Sequence, residues 1–322
     1  MQEIIVTANE AGQRFDKLLT KYLNDAPKSF IYKMLRKKNI VLNDKKATGN
    51  EKLSVGDSVK LYLSDDTIAK FSKTELVKTN VKLDIIYEDE NVMMINKPVG
   101  MLSQKAEAKD ESLVEHIISY LLSRGKLSAD DLRTFKPSVC NRLDRNTSGL
   151  IVAGKSLVGL QKMGELFKDR SLCKFYRCLV LGEISEKIYI KGYLTKDERT
   201  NKVSILDKEQ EGALPIETEY EPIWTNGRCT LLEVHLITGR THQIRAHLAS
   251  QGHPIIGDYK YGNRKTNDEY KSKFGLESQL LHAYRMELPV LTGELVNISQ
   301  KQFVAPLPTL FSEILQSEKK ER

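Results

Sequence analysis

Apolar positions in the first sixty residues switch between a helical and a strand period. Phe15, Leu18, Leu19 and Tyr22 recur at i, i+3, i+4 and i+7, which predicts an amphipathic helix. Ile31, Met34 and Leu35 predict a second, starting near Pro27 and Ser29. On that helix Lys33, Arg36 and Lys37 share the opposite, polar face. Ile40–Leu42 followed by Asn43-Asp44 reads as a strand and turn, and Val59, Leu61 and Leu63 alternate with polar residues after the turn at Gly56-Asp57. Residues 64–80 are polar and lack a clear period. The pattern therefore divides the chain into a unit at 1–65, a linker at 66–80, a second domain at 81–315 and a charged, frayed tail at 316–322.

In the second domain, Leu83–Tyr87 and Val92–Ile95 flank an acidic turn as a hairpin. Ser112 and Glu115 have capping-box spacing ahead of a helix reaching about Leu122, and Ser123–Pro137 reads as a polar connection. Leu150–Ala153 is an apolar strand. Ser156 caps a helix buried through Leu157, Leu160, Met163 and Phe167. Further strands are expected at Phe175–Leu181, Thr230–Leu236 and Leu281–Leu288, with a helix over Thr241–Ser250. Helices and strands mix without regular βαβ alternation, so the expected class is α+β.

Length and composition sharpen this outline. The 322 residues fit two domains, and 40% hydrophobic with 29% charged residues describes a globular chain. No apolar run approaches the ~18 residues of a membrane span. Met1–Ile5 has neither the basic start nor the apolar core of a signal peptide, so a cytoplasmic protein with no membrane partner is expected. Four cysteines do not make a disulfide framework. The net charge of +7 is uneven: residues 1–63 hold 12 Lys or Arg against 7 Asp or Glu, and the remainder 38 against 36. A basic end on a nearly neutral body suggests a nucleic-acid contact localised to that end.

The densest chemistry lies in Asn141-Arg142-Leu143-Asp144-Arg145-Asn146-Thr147-Ser148-Gly149. Arg142 and Arg145 flank Asp144 in a polar loop feeding a buried strand. Positive neighbours favour the ionised carboxylate that a nucleophile or base requires, although a bare Arg-x-Asp-Arg fits a surface ion-pair loop better. His235, His242 and His247 do not form a metal set, because His242 and His247 point to different helix faces and no carboxylate lies one turn away. Cys173 and Cys178 fall on opposite faces of a strand, so no metal is expected. No glycine-rich phosphate loop of either common pattern occurs.

The whole nonapeptide resembles the signature of RNA pseudouridine synthases of the RluA/RluC family, usually His-Arg-Leu-Asp-Arg-Asp-Thr-Ser-Gly, with Asn at positions 141 and 146 here. Lys174–Gly182, Thr238–His247, Gly252–Asp258, Asn96–Gly100 and Leu281–Ala283 resemble further segments of that family in the same order. Glu10–Asp16 and Pro27–Tyr32 resemble the ribosomal-S-four-like RNA-binding domain joined to many of these enzymes, most like the RluC branch. The resemblance implies a catalytic domain with a mixed, mostly antiparallel sheet flanked by helices. It implies uridine isomerisation without a cofactor, in RNA and most like large-subunit ribosomal RNA. It assigns Asp144 as the nucleophile, Arg245 as its basic partner, Tyr176 as the residue against the target base, and Arg142 as an aid to nucleotide extrusion. Lys28, Lys33, Arg36 and Lys37 become phosphate contacts, and a monomer is expected. A transfer-RNA synthase and a noncatalytic ribosome-assembly protein on the same fold stay open as alternatives.

Overall fold

A computed structural model describes residues 1–72 and 79–320. The N-terminal unit is built on four antiparallel strands, β1 (Gln2–Ile5), β2 (Ile40–Leu42), β3 (Lys45–Lys46) and β4 (Ser58–Leu61), in the order β1-β4-β2-β3. The two expected helices are α1 (Phe15–Tyr22) and α2 (Lys28–Arg36). Their apolar stripes meet Ile40, Val59 and Leu61 of the sheet in one core.

Residues 66–71, expected within a linker, instead belong to helix α3 (Asp65–Phe71). Ser64 caps it by accepting from the Thr67 amide at 3.3 Å, Ile68 is buried, and Phe71 packs on Phe30 with ring centroids 4.7 Å apart. Two apolar residues one turn apart are too few to register as a stripe in a seven-residue helix. The rest of the expected linker, residues 73–78, lies outside the described residues.

Among the described residues, the second domain contains an eleven-stranded sheet with helices on its faces. Its strands are β5 (Ile85–Glu88), β6 (Val92–Lys97), β7 (Ser138–Val139), β8 (Ser148–Gly154), β9 (Cys173–Leu181), β10 (Ile188–Asp197), β11 (Lys202–Leu206), β12 (Leu214–Thr225), β13 (Cys229–Leu236), β14 (Leu281–Glu287) and β15 (Gln302–Val304). Nine run in the order β11-β10-β12-β13-β9-β14-β8-β6-β5, with β15 on β14 and β7 on β8. The β14–β8 pair is parallel and the other named pairs are antiparallel. The helices are α4 (Leu113–Ser123), α5 (Asp131–Thr134), α6 (Leu157–Asp169), α7 (Gln243–Ser250), α8 (Arg264–Phe274) and α9 (Thr309–Lys320). This is the expected α+β architecture. α5 interrupts the expected polar connection, and β10 to β12 extend the sheet beyond the expected strands. The expected tail is also corrected: residues 316–320 complete α9, where Glu318 is buried and accepts from Asn226 Nδ2 at 3.2 Å.

The continuous apolar run of β8 follows from burial on both faces. Ile151 and Ala153 join Met93 and Ile95 in the core beneath α4 and α7. Leu150 and Val152 join Val92 and Met94 in a second core with Met163 of α6. Between β7 and β8 runs the 140–147 loop, and where it enters β8 the backbone passes very close to β14. Gly149 has φ +110°, and a Cβ there would stand 2.2 Å from the Ala283 carbonyl oxygen. Gly164 of α6, by contrast, faces open space.

These two glycines give opposite predictions. Gly149→Ala should destabilise the protein by more than about 3 kcal/mol, through backbone strain and a steric collision that only separation of β8 from β14 relieves. Gly164→Ala should stabilise it by roughly 0.5–1 kcal/mol through helix propensity. Thermal and urea melts of both variants check this; a Gly149→Ala variant that melts with the wild type would remove the close-approach argument.

Candidate active site

The 140–147 loop is fixed to its surroundings before any charged group is considered. The Asn141 side chain donates to the Leu150 carbonyl at 3.3 Å and accepts from the Val152 amide at 2.8 Å. Buried Ser103 holds both backbone groups of Leu143, donating to its carbonyl at 2.8 Å and accepting from its amide at 3.0 Å. Beyond Asp144, the Arg145 carbonyl accepts from the Gly100 amide at 2.9 Å and from Lys97 Nζ at 3.1 Å. Lys97 is fully buried, and its ammonium also donates to the carbonyls of Pro98 and Met101 at 2.8 and 2.9 Å. Burial lowers the Lys97 pKa to about 7, against the opposing pull of Asp144.

Asp144 projects from this clamped loop with 30% of its side chain exposed. Arg245, on the first turn of α7, donates from Nη1 to Asp144 Oδ2 at 2.8 Å. The other edge of the guanidinium forms a two-point bond to Asp258, from Nε at 2.7 Å and from Nη2 at 3.0 Å. Asp258 is completely buried and also accepts from the amides of Lys260 and Tyr261. Burial works against the charge on Arg245, but the bonds to Asp258 and the attraction of both carboxylates outweigh it, and its pKa is raised. A bidentate pair with a fully buried acid sets the plane of the guanidinium and so aims its remaining edge at Asp144.

His242 stands beside this pair. Its backbone is left-handed at φ 52°, which turns the chain into α7. Its Nε2 stands 3.8 Å from Asp144 Oδ2, and its Nδ1 lies 2.9 Å from the Tyr261 hydroxyl. That hydroxyl also accepts from the Val203 amide at 2.9 Å. Burial lowers the His242 pKa, which favours the neutral imidazole.

Asp144, Tyr176, Arg142 and Arg245 line one open cleft of about 1140 Å³. Tyr176 is buried on β9, and burial, assisted by Asp144, raises the pKa of its hydroxyl. Arg142 is exposed and makes no hydrogen bond or ion pair among the described residues. Ten lysines and arginines border this cleft against a single carboxylate, Asp144. The near-neutral charge of the second domain thus conceals a strongly basic cleft, and positive potential is not confined to the N-terminal unit as the charge count suggests. Lys28, Lys33, Arg36 and Lys37 are elsewhere, exposed on α2 and its C-cap and without ion pairs among the described residues.

A family model described as RNA pseudouridylate synthase matches residues 91–250. Ribosomal large subunit pseudouridine synthase C of Vibrio vulnificus is 32% identical over 294 residues, covering 88% of this chain and 87% of the relative. The protein of the same name from Pasteurella multocida is 33% identical, covering 97% and 92%, and that from Escherichia coli 30%, covering 92% and 91%. The chain belongs to the RNA pseudouridylate synthase family. Enzymes of this family isomerise uridine to pseudouridine in RNA. The fold agrees: the solved structure of human RNA pseudouridylate synthase domain containing 4 superposes with a TM-score of 0.55 at 24% identity, covering 73% of this chain and 92% of that one.

Sequence reasoning assigned no role to Asp258, His242, Lys97 or Ser103. The first three stand inside matched segments, so the signal lay in motif position. Ser103 carries no sequence signal, because its partner is a backbone 40 residues away.

The synthase should show a pH signature from Lys97. With a pKa near 7 when folded and 10.5 when free, the unfolded chain binds more protons between these values, so stability rises with pH across that window. The melting temperature of the wild type minus that of Lys97→Met should therefore increase from about pH 7 to 10. A flat difference would show that buried Lys97 keeps its ordinary pKa.

Proposed function

We propose that this synthase converts uridine to pseudouridine in large-subunit ribosomal RNA, with Asp144 as the attacking carboxylate, and without a cofactor. The observation that carries the reading is the isolation of Asp144. It is the single acid in a cation-lined cleft, with Oδ2 held by Arg245 and Oδ1 free of hydrogen bonds among the described residues. One oxygen is thereby oriented while the other is free to meet an electrophilic carbon. The N1–C1′ bond breaks, a C5–C1′ bond forms, the C5 proton leaves and N1 gains one. Electrons balance without oxidant or reductant. Tyr176 supplies the ring against the base; its hydroxyl, kept protonated by its raised pKa, takes the C5 proton as it passes its own proton on to solvent.

The target base has to leave its stack to reach Asp144, at a cost of a few kcal/mol in structured RNA. Arg142, exposed at the cleft and unpaired among the described residues, suits the gap left behind. The ribosomal target is supported by the relatives named as large-subunit synthases, one of which matches 97% of the chain, N-terminal unit included. On this reading residues 1–71 are an RNA-binding unit holding phosphates through Lys28, Lys33, Arg36 and Lys37, and residues 81–320 the catalytic domain of a cytoplasmic monomer.

Asp144→Asn keeps shape and removes charge. It should lower single-turnover pseudouridine formation by more than about a thousandfold while RNA affinity stays within about threefold. Pseudouridine maps of ribosomal and transfer RNA, from cells carrying either form, identify the target. Turnover by the pure variant would refute the nucleophile assignment, and loss of signal in transfer RNA alone would refute the ribosomal one.

Replacing Lys33, Arg36 and Lys37 by Glu should weaken RNA binding and reduce the magnitude of the log–log salt slope by roughly 2–3. Turnover at saturating RNA should be nearly unchanged. An unaltered slope would turn this face of α2 away from the RNA.

A further inference from the structure

Most partly buried cations of the second domain have an acid at hand: Lys155 bonds Glu88, Arg285 bonds Glu233, and Arg245 bonds two aspartates. Lys174 and Arg240 break this rule. Lys174 lies on β9, two residues before Tyr176 and therefore on the same strand face. It is half-buried with no ion pair among the described residues. Its ammonium sits against the Gly239-Arg240 turn, 3.5 Å from where a side chain on Gly239 would begin. Arg240 carries the complementary defect: its Nε is buried without any hydrogen-bond partner among the described residues. Arg170, in a left-handed conformation at the end of α6, adds a third cation on the same cleft and further disfavours charge on Lys174.

We propose that Lys174, Arg240 and Arg170 form a phosphate clamp on the wall of the active-site cleft that takes one backbone phosphodiester of the RNA strand carrying the target uridine. The inference rests on the RNA-modifying reading above and deepens it. An unpartnered buried donor and a desolvated ammonium are costly in the free protein. A phosphodiester supplies the missing counter-charge, because its two free oxygens can take a guanidinium and an ammonium together. Three cations on one cleft also explain why a carboxylate here would be harmful: it would neutralise the clamp before RNA arrived.

The clamp predicts two opposed effects from one substitution. Lys174→Met keeps the aliphatic stem and removes the charge. It should raise the melting temperature of the free protein by roughly 1–3 °C, since an uncompensated cation is gone. Its affinity for a single-stranded RNA oligonucleotide should fall about tenfold, and the salt slope should flatten by up to ~0.7, the value for loss of one single-strand phosphate contact. Arg240→Gln should flatten the slope likewise, whereas Lys174→Arg and Arg240→Lys should retain it. Lys208→Gln and Lys265→Gln, outside the cleft lining, serve as controls with the slope unchanged. A stabilised Lys174→Met protein with wild-type slope and affinity would overturn the clamp, as would a destabilised one whose slope survives in Arg240→Gln. Binding is read independently of turnover, so the two readings can fail separately. A wild type that forms no pseudouridine yet shows these slope changes would refute the reaction and leave the clamp standing.

Discussion

One guanidinium joins the parts of this site that come from distant stretches of the chain. Arg245 binds a carboxylate 13 residues ahead with one edge and a carboxylate 101 residues behind with the other. The two partners differ in burial, and that difference sets their roles. Asp258 has no exposed surface and takes two guanidinium bonds and two amide bonds, so it fixes where the cation stands. Asp144 remains partly open and takes one bond, so it is oriented without being consumed. A buried arginine with only Asp144 for company would have to follow that side chain; anchored from behind, it dictates the position instead.

The same division of labour runs through the loop that bears Asp144. Asn141, Ser103 and Lys97 bond backbone groups on either side of the aspartate. Asn141 stands where the family signature usually has His, yet its amide bonds the β8 backbone, so the departure falls on the scaffold. Arg142, Asp144 and Arg145 thereby project into the cleft from a backbone held on both sides.

Legibility in the sequence followed the range of the interactions concerned. Helices α1, α2 and α4 and strands β6, β8 and β9 announce themselves because burial imposes a period on neighbouring residues. Asp144, Arg245 and Tyr176, which the fold brings to one cleft, were assigned through contiguous motifs. Helix α3 was missed because its core contact is a single isoleucine and one aromatic pair, and the last turn of α9 because its one buried polar residue, Glu318, reads as an exposed charge. The cleft's basic character was missed for a different reason. Summation along the chain mixes its ten cations with acids that fold onto other surfaces, so a composition near neutral says nothing of where the field lies.

The two units also touch each other. The Thr134 hydroxyl donates to buried Glu10 at 2.7 Å, and the Arg133 guanidinium covers the Tyr22 ring at 4.0 Å. These contacts tie the body that carries α2 to the body that carries the cleft. If α2 holds phosphates as proposed, then for an RNA long enough to reach both, the second contact is an intramolecular event with its own effective concentration, in the millimolar range for closely tethered sites. Under that proposal the two grips would multiply, and an RNA too short or too differently folded to span them would keep only one. Discrimination among RNAs can accordingly arise from span alone, with every base around the uridine left unread.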